Sequence, residues 1–374
     1  MASKTRVGII FGGRSGEHEV SLVSASSVID TLDKNKYDIV PIGITQEGKW
    51  ISSPHAMQLL KEKQGAEREP ERFIAPEPNR QALVSIDDVH DAGAGLDVVF
   101  PLVHGTYGED GTLQGLLELA NIPYVGAGVL ASAVGMDKIV QKQLFTSAKL
   151  PVPKFIWFLA EECRRDIRSV VSVAEKKLRY PMFTKPANTG SSVGIAKAHN
   201  RKELVAGIEN AMLYDRKIII EQGVKDAREI ECSVLGNDDP VASVPGEIVS
   251  SREFYDYDAK YVDGTSEAII PAKLPKKIVG EVQRIAVQAF RLLDAAGMAR
   301  VDLFVTKKSN RIYLNEVNTI PGFTSISMYP KLWEATGIPF ADLLDRLIVL
   351  ALDRHRVKNG LSTRYQPAKD WYRR

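Results

Sequence analysis

Residues 300–318, RVDLFVTKKSNRIYLNEVN, constrain this chain more than any other stretch. Two β-rich runs, 301–306 and 311–318, flank polar Lys308, Ser309 and Asn310, which is the pattern of a hairpin. Side chains alternate along a strand, so Arg300 and Asp302 share a face, as do Glu316 and Asn318. The loop decides which of them meet. A three-residue loop at 308–310, with Asn310 left-handed, sets Asp302 opposite Glu316 and Arg300 opposite Asn318. A four-residue loop sets Asp302 opposite Asn315 and scatters the group. In the first register one face carries a guanidinium, two carboxylates and an amide. Such a face suits neither a core nor open solvent, but it suits a hard divalent cation that holds phosphates. On spacing alone, a surface hairpin with inert charges explains the run equally well.

The chain has 374 residues, too many for one ordinary core, so two or three domains are expected. Hydrophobic content of 44% and charged content of 26% are those of a soluble globular protein. A net charge of +2 gives no support for a nucleic-acid or membrane partner. Cys163 and Cys232 cannot form a disulfide framework and lack metal-ligand spacing, which suits reduced thiols in a cytoplasmic protein. The start, MASKTRVGIIFGG, has too short an apolar run for a signal peptide and reads as a first strand. No stretch reaches the roughly 18 apolar residues of a membrane span.

RVGIIF, then GGRSGE, then a helical apolar pattern through residue 32 open a doubly wound α/β unit. Its glycine turn aims N–H groups and a helix N-terminus at one point, where an anion is favoured. Glu17 and Glu19 fall at that helix start. Residues 61–80 are charged and proline-containing and read as an exposed insertion. The strand 97–102 runs straight into His104 and the loop HGTYGEDG, at the strand end where open α/β sheets bind ligands. Asp110 is placed to cap the helix 112–120. One helix is expected over 129–149, containing Asp137, Lys138 and Lys142. PMFTKP carries Lys185 and leads into ANTGSSVG and a returning strand, a hairpin flap whose hydroxyls and N–H groups can cover phosphates. It is not a phosphate loop of the GxxxxGK[ST] type, since the lysine precedes the glycines. KIIIEQGV ends a buried strand near Glu221, and REIECSVL sets Glu229, Glu231 and Ser233 on one face. Residues 246–271 gather Phe254, Tyr255, Tyr257 and Tyr261, a composition suited to a lid that excludes water. A helix over about 276–296, the opening hairpin, and a last helix from Pro339 to Arg356 complete the chain.

Taken together, GGRSGEHEVSLVSA, VHGTYGEDGTLQG, GSSVG after a lysine strand, FYDYDAKY, ARVDLF and NEVNTIPGFTS resemble the D-alanine–D-alanine ligases of the ATP-grasp superfamily, in their longer form. The resemblance runs from Gly12 to Ser327. It implies an α/β chain, α+β in its C-terminal part. Three units are expected: 1–128, a doubly wound α/β domain; 129–220, a central subdomain; and 221–360, a C-terminal subdomain with the lid at 246–271. A tail, 361–374, follows.

The resemblance also implies roles. ATP phosphorylates one D-alanine carboxylate, and the amine of a second D-alanine displaces phosphate. Asp302, Glu316 and Asn318 match the ligands of two Mg2+ or Mn2+ ions. Lys138, Lys185, Ser191, Ser192 and Lys260 match the groups around the phosphates. Glu221, Gly223 and Val224 match the adenine contacts. Glu229 matches the ribose acid, although Arg228, Lys225 and Asp226 depart from the shorter forms and leave Glu231 as an alternative. Arg300 and the N–H of Gly322 match the oxyanion site. Glu17 matches the partner of the first ammonium, and His104 lies near the same substrate. Ser327 and the N–H of Met328 match the site of the second carboxylate, beside Ile326, where several relatives carry a polar residue. Tyr261, Ser191 and Glu17 match a chain of hydrogen bonds that locks the lid. Tyr261 also argues for an amine acceptor, against the alternative of a D-alanine–D-lactate ligase. A homodimer in the cytoplasm is expected, with neither nucleic acid nor membrane as partner.

Overall fold

A computed structural model describes residues 4–78, 80–85, 94–190, 192–249 and 267–365. Three main sheets follow one another along the chain, and a small fourth sheet sits on the first unit. The first unit contains β1 (Thr5–Gly12), α1 (His18–Thr31), β2 (Tyr37–Ile44), β3 (Trp50–Ile51), α2 (Ala56–Glu62), β4 (Arg72–Ile74), β5 (Ala82–Ser85), β6 (Ala94–Gly95), β7 (Val98–Pro101) and α3 (Thr112–Leu119). Its sheet runs β3-β2-β1-β7, with β1 parallel to both neighbours. A central parallel strand is covered on both faces, which is why VGIIF is apolar without alternation.

The charged run at 61–80 is more ordered than its composition suggests. Ile74 on β4 and Leu83 on β5 pack with Ile10 and Ile42 of the main sheet, while the acidic and basic residues stay outside. Two apolar anchors are enough to seat a short three-stranded sheet, β4-β5-β6, on the domain.

The single helix expected over 129–149 is two, α4 (Val129–Met136) and α5 (Lys138–Ser147). Asp137 breaks it. Its backbone is extended, and its Oδ1 accepts the N–H groups of Ile139 and Val140, so it caps α5. The break places Lys138 at the first position of α5.

The second unit holds β8 (Phe155–Leu159), α6 (Ala160–Arg165), α7 (Ile167–Lys177), β9 (Met182–Pro186), β10 (Ala196–Ala198), α8 (Arg201–Ala211) and β11 (Lys217–Gln222), in the antiparallel order β10-β9-β11-β8. The flap hairpin forms as β9 and β10, with Thr184 opposite Ala196. β11 runs through position 220, where the sequence reading ends the central unit, so the chain crosses to the third sheet at 223–226.

The third unit comprises β12 (Ala227–Gly236), β13 (Val241–Ala242), β14 (Gly246–Val249), β15 (Glu267–Ile269), α9 (Lys276–Leu292), β16 (Gly297–Thr306), β17 (Ile312–Asn318), α10 (Met328–Ala335) and α11 (Phe340–Asn359). Its sheet runs β15-β14-β12-β16-β17. Ile230, Cys232 and Val234 of β12 and the apolar face of α9 share one core. α10 and α11 return to the first unit. Trp333, Leu343 and Leu347 share a core with Val7 and Phe11, so the two ends of the chain fold as one body. Both cysteines are buried and free. Among the described residues no helix is long and apolar enough to cross a membrane.

Candidate active site

The hairpin β16–β17 pairs Asp302 with Glu316 and Arg300 with Asn318. The register is the expected one, but its cause differs. The Thr306 N–H donates to Arg311 O, so four residues, 307–310, make the loop, with Asn310 left-handed at φ 51°. The register then shifts between Asp302 and Leu303, where β17 bulges at Asn315. One extra residue restores the phase that the longer loop loses. Burial along β17 records it: Ile312, Leu314 and Val317 point inward, while Asn315 and Glu316 both stay on the polar face.

The polar face extends over β12, where Glu231 lies opposite Asp302 and Ser233 opposite Arg300. Three carboxylates, Glu231, Asp302 and Glu316, thus stand in a row across three strands. Arg300 spans them. Its Nε and Nη2 donate to Asp302 Oδ1 and Oδ2, each at 2.8 Å, and Nε also lies 3.1 Å from Glu231 Oε2. Asn318 Nδ2 donates to Asp302 Oδ2 at 2.9 Å. Glu229 sits one row away, opposite Phe304.

Lysines close the next wall. Lys185 Nζ lies 2.8 Å from Glu221 Oε2, and Lys142 Nζ lies 3.1 Å from Glu221 Oε1. Burial alone would raise the Glu221 pKa, but the two lysines outweigh it and the net shift is downward. For Lys185 burial opposes charge, yet Glu221, Glu316 and Glu229 hold its pKa above the usual value. For Lys142 burial and the charge of Lys185 win, and its pKa falls. Lys138 Nζ donates to Thr189 O of the flap at 2.6 Å and stands 3.8 Å from Glu316 Oε2. It therefore touches both the flap and the hairpin.

Glu17, 8% exposed, forms the opposite end. The two glycine loops meet on it. A Cβ at Gly190 would fall 2.1 Å from Glu17 Oε2, and one at Gly105 would fall 2.7 Å from the same atom. Only glycine permits so close an approach on either side. Glu109 accepts the Gly105 N–H at 2.7 Å, and burial together with the nearby Glu17 pushes its pKa up to about 8. His104 Nδ1 lies 3.2 Å from Ile320 O, and Nε2 lies 3.1 Å from Ser24 Oγ. A carbonyl only accepts, so the proton sits on Nδ1 and Ser24 donates to Nε2. Burial lowers the His104 pKa, which keeps this neutral form. Ser24 Oγ in turn accepts the Phe323 N–H. The turn that holds Gly322 is thus fastened on both sides by the first unit, and Phe323 seats it edge-on against Phe100.

The acids, Arg300, Asn318, His104, Lys138 and Lys185 line one cavity of about 820 Å³ between the three main sheets, with Lys142 behind Glu221. That volume falls in the range of small-molecule sites.

Two family profiles match the chain, "D-ala D-ala ligase N-terminus" over residues 6–127 and "D-ala D-ala ligase C-terminus" over residues 144–349. The chain belongs to the D-alanine–D-alanine ligase family. The D-alanine–D-alanine ligase of Caldicellulosiruptor bescii is 50% identical over 359 residues, which cover 96% of this chain and 98% of the relative. That of Chloroherpeton thalassium is 51% identical over 358 residues, covering 94% and 98%. Among solved structures, the D-alanine–D-alanine ligase of Coxiella burnetii has a TM-score of 0.82 at 37% identity and covers 96% of this chain and 97% of its own. The VanG D-Ala:D-Ser ligase of Enterococcus faecalis has a TM-score of 0.82 at 38% identity and covers 93% and 100%. The fold is therefore the ATP-grasp fold of this ligase family, and the chain is a ligase.

Within the family frame, most of the residues singled out in the sequence share the cavity wall. These are Glu17, His104, Lys138, Lys185, Ser192, Glu221, Gly223, Val224, Glu229, Arg300, Asp302, Glu316, Asn318, Gly322, Ser327 and Met328. Ser191, Lys260 and Tyr261 lie outside the described residues, as does most of the lid; its described flanks pair as β14 and β15. The Gly223 N–H is already donated to Pro181 O. Ser327 stands at the N-cap of α10, with its Oγ bonded to Thr324.

Among the described residues no three His, Cys, Asp or Glu side chains could hold a metal by themselves. Asp302 and Glu316 with the Asn318 amide make a smaller, hard-oxygen set. It fits a cation that takes its remaining ligands from phosphate and water. Glu231, the alternative to Glu229 in the sequence reading, lies on the wall, while sequence reasoning assigned no role to Glu109, also on the wall, or to Lys142, which pairs with the wall residue Glu221. Glu231 was legible from the alternation of β12. Lys142 was legible as the i+4 neighbour of Lys138 on one helix face. Glu109 was legible only as part of HGTYGEDG.

Proposed function

We propose that this protein joins two D-alanines, at the expense of ATP, into D-alanyl-D-alanine through an acyl phosphate. The carrying observation is the position of Arg300, inside the row of acids on β12, β16 and β17 and in the same cavity as buried Glu17. A carboxylate held between them meets a cationic donor on one side and an acid fit for an ammonium on the other. Glu17 binds the ammonium of the first D-alanine. Lys138 and Lys185 place point charges against the phosphates. Glu221, Gly223 and Val224 hold the adenine. Glu229 takes the ribose hydroxyls, since Glu231 is committed to Arg300. Two Mg2+ or Mn2+ ions at Asp302, Glu316 and Asn318 would offset the charge of the moving phosphoryl group.

The carboxylate oxygen of the first D-alanine attacks the γ-phosphorus, and ADP leaves. The amine of the second D-alanine then attacks the acyl carbon, and phosphate leaves. Arg300 and the Gly322 N–H stabilise the oxyanion that forms between. His104, with both nitrogens engaged, holds the turn of Gly322 rather than the substrate. Ser327 and the Met328 N–H, at the start of α10, receive the second carboxylate. Ser191, Ser192, Lys260 and Tyr261 close over the phosphates and substrates, a role supported by their motifs. The dipeptide serves peptidoglycan precursor synthesis. We place the protein in the cytoplasm, as a homodimer.

The acceptor is tested by product analysis with D-alanine alone and with D-lactate or D-serine added, across pH 6 to 9. D-alanyl-D-alanine should dominate throughout. A depsipeptide or a D-serine dipeptide as the main product at neutral pH would overturn this choice.

A further inference from the structure

Lys142 is 1% exposed and has no part in the scheme above. It is absent from the cavity wall, whose lysines are Lys138, Lys185, Lys197, Lys225 and Lys307. Its Nζ has two partners. It donates to Asn315 O at 2.7 Å, and it pairs with Glu221 Oε1 at 3.1 Å. Asn315 is the bulged residue, directly before Glu316.

β17 is an edge strand, so its outer backbone groups need partners from elsewhere. Gln141 Oε1 accepts the Val317 N–H, Pro151 O accepts the Leu314 N–H, and Lys142 serves the Asn315 carbonyl between them. Helix α5, with Pro151 beyond its end, therefore does for β17 what a neighbouring strand would do. A neutral side chain could fill the same space. A shorter or apolar side chain would not reach both the Asn315 carbonyl and Glu221.

We propose that Lys142 is a positioning residue for the nucleotide and the divalent cation. It fixes Glu221 on β11 relative to Glu316 on β17 by gripping the carboxylate of one and the bulge beside the other. The proposal rests on the functional reading above. Lys142 acts through its neighbours, as the outer partners of metal ligands do, and loss of such a partner typically weakens metal affinity about 10- to 100-fold.

The test is Mn2+ binding in the presence of ADP, followed by the electron paramagnetic resonance signal of free Mn2+, for wild type, Lys142→Met, Glu221→Gln and Lys142→Met/Glu221→Gln. Lys142→Met should hold Mn2+ about tenfold more weakly or worse. Because Glu221 also holds the adenine, the double variant is read against Glu221→Gln alone. It should bind Mn2+ about tenfold more weakly than Glu221→Gln, because the Asn315 carbonyl stays ungripped, and this comparison carries the test if Lys142→Met does not fold. Wild-type affinity in folded Lys142→Met would overturn the proposal. Equal affinity in the double variant and in Glu221→Gln would also overturn it, by showing that Lys142 serves only to balance Glu221. Wild-type protein that held no Mn2+ with ADP would overturn the functional reading itself, an outcome distinct from both.

Discussion

Arg300 shares its sheet face with Glu231, Asp302 and Asn318, and its contacts with the two acids fix the plane of its guanidinium. A preoriented donor is worth most where charge develops during reaction. Arg300→Ala should therefore lower kcat by about 10²-fold or more while moving the KM for ATP far less. Steady-state kinetics would check this, and an unchanged kcat would remove Arg300 from the oxyanion role. Glu109 gives a pH signature. Its pKa rises from 4.5 to about 8, so the folded protein keeps a proton that the unfolded chain releases between those values. Stability should therefore fall as pH rises from 4.5 through about 8, and then level off. Glu109→Gln keeps an acceptor for the Gly105 N–H and should flatten that slope, as read by melting temperature against pH. At this scale the sequence was most legible where motifs name the residue, as for Asp302, Glu316 and Lys185. Glu109 and Lys142 were hidden because their meaning depends on burial and on partners distant in sequence.

The bulge at Asn315 shows how an element can reach the expected register by another route. A loop of four residues and one extra residue in β17 cancel, so Asp302 still meets Glu316. The signal was present. Inward positions fall at 312 and 314 and then at 317, a step of three where a regular strand steps by two. The break between α4 and α5 has a similar lesson. Apolar periodicity runs through it, and only the capping power of Asp137 marks the start of a second helix. Asp137→Ala removes the acceptor for Ile139 and Val140 and the partner of Lys217. It should cost about 1–2 kcal/mol in stability, measured by urea unfolding. The KM for ATP should rise as well, because Lys138 starts the same helix.

Across the whole molecule, three sheets in sequence order enclose one cavity, and the last helices close back on the first sheet. The order of units was legible from glycine turns and strand runs. The return of α10 and α11 was not, because an apolar helix face does not name its partner. The cavity explains why motifs nearly 300 residues apart belong to one site: Glu17 comes from the first unit, Lys185 from the second and Asp302 from the third. In the proposed reaction this cavity activates a D-alanine carboxylate by phosphorylation before the second amine arrives. The direct measurement uses D-alanine labelled with 18O in its carboxylate, with ATP and Mg2+, and follows the mass of the released phosphate. One 18O should pass to phosphate for each D-alanyl-D-alanine formed. Phosphate free of label, or released at the same rate without D-alanine, would contradict the account.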